Sequence, residues 1–429
     1  MIDIFSYPDF SFPEGFLFGT ATAGHQIEGN NCNSGHWHYE LEANKKNPDY
    51  ELSGMACNSY NMWRDDVDLI TTMGHNVYRM TVEWSRIEPE EGKFLMEEVD
   101  HYLRIFEALK ANNVKIVLTL VHGTVPYWYS KIGMTMENLH YFERYLNFIV
   151  PKIASYVDYW CVFNEFNYST HENSFDSKTN SIRYHARAYH IIKQYSDKPV
   201  STAHAMRQHY AKRQNDPFDL AMQNYYDIVF NEFWFHAIRT GEIVFPNRDC
   251  FYDSEIKDTC DYWAVNTYLK TVIDTRSRNC EYGDRLKFQS LRLIEDKRYD
   301  MIRAFDPECF IQSFLRLKDK PVLVTENGLC CDDDAFRIVW IAEYLYALRE
   351  CIDLGIDVIG YLYWTLLDNY EWTSYKPTFG LASVDRENGF RRTIKPSGYF
   401  YRDIIKANGF RQDILQKYLT EMPRCVYKD

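Results

Sequence analysis

No stretch of the chain approaches the roughly 20 consecutive apolar residues a helix needs to cross a bilayer, so no membrane-spanning segment is expected. The opening residues, MIDIFSYPDFSFPEG, contain neither a basic n-region nor an apolar h-region, so no secretory signal peptide is expected. Cysteine is present 11 times, but the number is odd, the spacing irregular, and no C-x-x-C occurs. That argues against a disulfide framework or a zinc ribbon and for reduced, mostly buried thiols in a cytoplasm. Basic residues are in deficit, 48 Lys and Arg against 61 Asp and Glu, and the net charge of −13 argues against nucleic acid or an anionic membrane as the main partner. The chain also lacks internal repeats, low-complexity tracts and any Pro/Gly-rich linker between halves. One domain, residues 1–429, is therefore expected.

Aromatic residues, by contrast, are plentiful, at 17% with 34 Tyr and 10 Trp. A large core with aromatic helix faces accounts for most of them, while a carbohydrate site would use some, because the apolar C–H faces of a sugar stack on aromatic rings. Short β-rich runs alternate with helical periodicity. Strands are predicted at 16–23, 76–84, 115–122, 159–165, 199–205, 261–268, 321–328 and 358–368. Amphipathic helices are predicted at 59–74, 99–113 and 336–355, the second with Val99, Tyr102, Leu103, Phe106 and Leu109 on one face. Strand–helix alternation repeated eight times predicts an α/β fold, a single (β/α)8 TIM barrel.

In such a barrel the chemistry sits where strands end and the following loops begin. Gln26, Glu83, His122, Glu165, His204, Tyr268, Glu326 and Trp364 all fall at or just beyond a predicted strand end. Two of these ends repeat a theme: "YWCVFNEFN" (159–167) and "PVLVTENGL" (321–329) each run from apolar residues into a glutamate beside an asparagine. On strands four and seven, Glu165 and Glu326 would face each other across the barrel mouth. A protonated carboxyl and an ionised one on either side of a glycosidic bond are what glycoside hydrolysis requires.

Seven blocks, "FLFGTATAGHQIEG", "GHNVYRMTVEWSRIEP", "VFNE", "VNTY", "VTENG", "GYLYWTLLDNYEW" and "FGLASVD", occur in an order that resembles glycoside hydrolase family 1, from residue 16 to about 385. The resemblance implies a retaining exo-β-glycosidase that hydrolyses β-glucosides, and β-galactosides with them. Glu165 would be the general acid/base and Glu326 the nucleophile. Arg79 and the Tyr268 hydroxyl would keep Glu326 ionised, whereas Glu165, with no cation in its motif, would have a raised pKa. Asn164 would donate to the sugar 2-hydroxyl. Gln26 and His122 would serve the 3-hydroxyl region, and Trp364 would form the stacking floor. Glu371 and Trp372 would grip the 4- and 6-hydroxyls, and Phe379 would close the pocket. No cofactor and no metal are implied. The expected partner is a small-molecule β-glycoside or oligosaccharide, and nothing in the sequence speaks to oligomeric state.

The chain departs from the family pattern at three places. Gly123 and Thr124 stand where an aromatic is usual, which is expected to remove part of a pocket wall. His25 stands in place of a tyrosine, and Phe166 in place of a proline. Three other readings compete. His36 and His38 in "GHWH" have the H-x-H spacing of metal-dependent barrel hydrolases, but further ligands on later strands are missing and surface or loop histidines are expected. A 6-phospho-β-glycosidase would draw phosphate donors from Ser374, Tyr375 and Lys376, against the presence of Glu371. A catalytically dead sugar-binding barrel would have lost one glutamate, and here both are present.

Overall fold

The computed structural model describes residues 3–268, 270–276 and 305–424. Eight strands close into a parallel barrel: β1 (Leu17–Ala21), β2 (Val77–Thr81), β3 (Lys115–Val121), β4 (Tyr159–Asn164), β5 (Val200–Ala205), β6 (Trp263–Asn266), β7 (Val322–Asn327) and β8 (Val358–Trp364). Each pairs with its neighbour in sequence, and β8 returns to β1 with Gly360 opposite Leu17. All eight predicted strands are present. They are shorter than the sequence predicts, most at the end of β8, which stops at Trp364 because the chain leaves the sheet there to build the site.

Burial on both faces explains the apolar runs. In β3 every residue after Lys115 is buried, as expected for a strand with side chains inside the barrel and beneath a helix. Among the described residues each strand is followed by a helix: α1 (Ser59–Thr72), α2 (Met96–Ala111), α3 (Leu139–Ile153), α4 (Phe175–Lys193), α5 (Phe233–Thr240), α6 (Glu308–Phe314), α7 (Asp334–Asp353) and α8 (Pro396–Lys406). In α2, Val99, Tyr102, Ile105, Phe106 and Leu109 are buried while Glu97 and Glu98 sit in the first turn, favourable to the helix dipole. Leu103, predicted on that face, is only partly buried, and Ile105 takes the inner position. The α7 helix, capped by the Asp333 carboxylate accepting from the Ala335 amide, is buried nearly all round because α6 and α8 pack against it. No helix among the described residues is long and apolar enough to cross a membrane.

Gly328 illustrates how sequence sets the site's geometry. A Cβ there would lie 1.8 Å from the Trp364 carbonyl oxygen, so only glycine lets the ends of β7 and β8 approach this closely.

Candidate active site

A cavity of about 490 Å3 opens at the C-terminal ends of the barrel strands. Every residue given a catalytic, binding or supporting role from sequence except Arg79 lines it: Gln26, His122, Asn164, Glu165, Tyr268, Glu326, Trp364, Glu371, Trp372 and Phe379. Arg79 lies beneath, fully buried on β2. Two of the eight strand-end residues do other work. Glu83 is buried and accepts from Asn31 Nδ2 and Thr124 Oγ1, both at 2.8 Å. His204 is buried among aromatic rings with its Nε2 at 3.1 Å from Asn167 Nδ2.

The two glutamate–asparagine pairs turn out not to be equivalent. Successive residues of a regular strand point to opposite sides, yet Asn164 and Glu165 both line the cavity. Glu165 does so by leaving β geometry, with φ at +50°, next to a shift in the β4–β5 register. A left-handed backbone at a non-glycine residue costs on the order of 1–2 kcal/mol and concentrates at functional sites. In β7 the register also shifts around Glu326, but no residue there takes a positive φ. Glu326 faces the cavity, while Asn327 turns outward, donating to Thr267 O at 2.8 Å and accepting from Trp340 Nε1 and the Tyr361 hydroxyl, each at 2.8 Å. Asn327 ties β6, β7, β8 and α7 together. Asn164 faces the pocket.

One chain of hydrogen bonds joins the two carboxyls. Arg79 donates through Nη1 to Glu326 Oε1 at 2.7 Å and through Nη2 to Asn164 Oδ1 at 2.7 Å. Asn266 Nδ2 donates to Asn164 Oδ1 at 2.9 Å and to Glu165 Oε1 at 3.0 Å. With its oxygen doubly engaged, Asn164 is left with its amide N–H groups for the cavity. The Tyr268 hydroxyl donates to Glu326 Oε2 at 2.9 Å. Asn266 is not among the residues the sequence marks, although it stands two residues before Tyr268 in "VNTY" at the end of β6. Tyr168 and Arg207, from the loops after β4 and β5, also line the cavity and carry no sequence motif that marks them.

Burial pushes Glu326 up to about 7, with Arg79 and Tyr268 opposing and the nearby Glu165 adding to the rise. Arg79 and the Tyr268 hydroxyl, expected to keep Glu326 ionised, do pull its pKa down, but desolvation outweighs them both. Burial also raises Glu165, against Asn266 and then Arg207. Two interacting acids of this kind titrate as a pair.

The far end of the cavity is built for a ligand rich in hydroxyls. Gln26 Nε2 donates to Asn369 Oδ1 at 3.0 Å and to Tyr370 O at 2.9 Å, which leaves its buried Oε1 with no partner. His122 Nδ1 is likewise buried without a partner, and burial together with Arg79 holds the ring neutral. The ring stacks between Trp364 and Trp372, with centroids at 6.0 and 6.2 Å. Trp364 Nε1 donates to Glu371 Oε1 at 3.1 Å, and burial reinforced by Glu326 pushes Glu371 up to about 8.

At Gly123 the expected gap in the wall is absent. Trp372, itself left-handed at φ +58°, lays its indole over this glycine, and a Cβ there would lie 2.7 Å from Trp372 Cη2. Phe166 packs edge-on against Phe233 and Trp234. The two histidines of "GHWH" do not converge. His38 stacks on Tyr127 at 3.6 Å, while His36 turns toward His25 and Glu40, where three potential ligand atoms lie within 4.8 Å of one another. In that cluster His25 Nε2 donates to Glu40 Oε1 at 2.7 Å, and Glu40 also accepts from the Ser53 amide and hydroxyl. The cluster backs the Trp372 indole, with His36 edge-on to it at 4.8 Å.

A closed parallel barrel with paired acids and stacked indoles at its C-terminal mouth defines the class of barrel glycosidases. A family model described as glycosyl hydrolase family 1 matches residues 9–410. The chain belongs to that family and is a glycoside hydrolase. It is 27% identical to a β-galactosidase of Sulfolobus acidocaldarius, covering 96% of this chain and 98% of the other. It is 26% identical to β-glucosidase A of Thermotoga maritima, covering 93% and 98%. The solved β-glycosidase from Pyrococcus horikoshii superposes with a TM-score of 0.84 at 28% identity, covering 96% and 98%.

Proposed function

We propose that the protein, as a single domain spanning the chain, is a retaining exo-β-glycosidase acting on β-glucosides and β-galactosides. Glu326 attacks the anomeric carbon while Glu165 protonates the departing oxygen. The glycosyl ester is then hydrolysed by a water that Glu165 deprotonates. The observation that carries this reading is the asymmetric bonding of the two acids: Glu326 takes Arg79 and Tyr268, Glu165 takes the neutral amide of Asn266. Glu371, at the sugar's far end, can accept from a C4 hydroxyl of either configuration, and of the two relatives named above one is a β-galactosidase and the other a β-glucosidase by name. Proton NMR of a β-glucoside digest tests it: the β-anomer should appear first and mutarotate. An α-anomer as first product, or carboxyls separated by about 6.5–9.5 Å in a crystal structure rather than about 5–5.5 Å, refutes retention.

The 6-phospho alternative loses support from the loop after Trp372. The Ser374 hydroxyl and the Tyr375 amide both donate to Glu51 Oε2, at 2.5 and 2.8 Å, and Lys376 is exposed outside the cavity. A 6-phosphate would forgo charge-assisted bonds worth about 1.5–3 kcal/mol each. A 6-phosphorylated nitrophenyl glucoside should therefore show kcat/KM at least about a hundredfold below its parent, and the reverse order would reinstate the phosphoglycosidase. We place the protein in the cytoplasm because seven of the nine described cysteines are buried as free thiols. Activity recovered from the periplasmic or secreted fraction of the source cells would contradict that placement.

A further inference from the structure

Behind the acid on the leaving-group side of the cavity stands a cation that the reaction as derived does not use. Arg207 follows the end of β5 and lines the cavity with Tyr168, Met206 and Thr271. Its guanidinium carbon lies 4.5 Å over the Tyr168 ring and 4.7 Å over the Phe230 ring, while Asn231 pins its backbone on both sides. The side chain is thus held by two aromatic faces rather than by a carboxylate. Among the described residues no ion pair involves Arg207, although the chain carries an excess of acids. The other cation at this end, Lys270, is already paired with Asp306 at 2.8 Å.

Position gives the charge its meaning. The groups that face a sugar's hydroxyls, Gln26, Trp364, Glu371 and Trp372, come from the β1 and β8 side. Arg207 instead shares the cavity wall with Glu165, near enough to lower its pKa while burial raises it. Glu165 protonates the departing oxygen, so whatever lies beside it is the aglycone. A guanidinium fixed on aromatic faces presents a fork of N–H donors that matches carboxylate and phosphate oxygens. A cation in a partly desolvated wall is favoured most when the ligand brings the counter-charge.

We propose that the aglycone subsite selects β-glycosides whose leaving group carries an anionic oxygen group, with Arg207 as the specificity residue. The inference rests on the glycosidase reading and deepens it. The bond changes are those already given: C1–O breaks, the oxygen takes the proton of Glu165, and the aglycone departs with its anion intact.

Two non-hydrolysable probes separate this idea from the reaction itself: 4-carboxyphenyl 1-thio-β-glucoside and a neutral 4-substituted phenyl thioglucoside. By calorimetry at low salt, the wild-type protein should bind the carboxylate about tenfold more tightly, ~1.4 kcal/mol. The preference should shrink as salt rises, fall to about one in Arg207→Gln, and persist in part in Arg207→Lys. Each comparison is a ratio within one protein, so a partly folded variant does not distort it. Equal binding of the two probes by wild type, or a preference that survives in Arg207→Gln, overturns the proposal. Hydrolysis of the matching O-glucosides is scored separately: failure there, with the Arg207-dependent preference intact, would sink the glycosidase reading and leave the anion site standing.

Discussion

Replacing Tyr268 by phenylalanine removes one oxygen and one hydrogen bond, the donation to Glu326 Oε2 at 2.9 Å, while keeping the ring. The phenol is a donor throughout the working pH range, because burial and then Glu326 hold its pKa well above the ordinary value. A hydrogen bond to a charged acceptor is worth about 1.5–3 kcal/mol, and one pKa unit corresponds to about 1.4 kcal/mol. Donation to the ionised form favours it, so its loss must raise the pKa of Glu326, already at about 7, by about 1–2 units. The acid limb of kcat/KM against pH reports this ionisation in the free enzyme. Tyr268→Phe should therefore shift that limb upward by about 1–2 units, with activity falling roughly 10- to 100-fold at pH 6 and less at pH 8. The assay is initial-rate hydrolysis of nitrophenyl β-glucoside from pH 4.5 to 9, with thermal melts to confirm the fold. A uniform loss at every pH with the limb unmoved would show that Tyr268 only positions the substrate. A downward shift would refute the electrostatic argument outright.

Three further outcomes follow from the same geometry. Glu165→Ala should still turn over substrates with good leaving groups, about 10–100-fold slowed, and yield a β-glycosyl azide with added azide, whereas Glu326→Gly should be inactive and give no β-product; the reverse pattern would exchange the roles. Glu371 holds its proton more tightly folded than unfolded, with a pKa pushed from 4.5 to about 8, so its contribution to stability is complete below about pH 4.5 and is lost as pH rises through 8. Glu371→Gln should thus melt above wild type by a margin that grows from pH 5 to pH 9, and a margin independent of pH would contradict the shift. Gly123→Ala places a methyl 2.7 Å from Trp372 Cη2 on a backbone at φ +72°, and should raise KM about tenfold by displacing the indole; an unchanged KM would mean that Trp372 does not hold the sugar.

Local pattern carried much of this molecule. Apolar runs long enough for one strand each, separated by helix-period stretches, dictated a parallel sheet, because strands buried on both faces have no polar alternation to offer. The strand ends then located the acids, since the C-terminal mouth is where a barrel exposes side chains together. What the linear pattern could not decide depends on distances between residues far apart in the chain. Asn164 and Asn327 look alike beside their glutamates, yet one serves the cavity and the other clamps three strands, because Glu165 turns left-handed and Glu326 does not. Gly123 read as a missing wall until Trp372, 249 positions later in the chain, was seen to occupy it. The pKa of Glu326 rests on how completely the fold strips it of solvent, a property of the whole barrel. Arg207 has no motif, and only folding sets it on two aromatic rings in the cavity wall. Sequence specifies strand order and residue chemistry through local periodicity; desolvation and spatial neighbours are sums over the closed structure, and only that structure decides them.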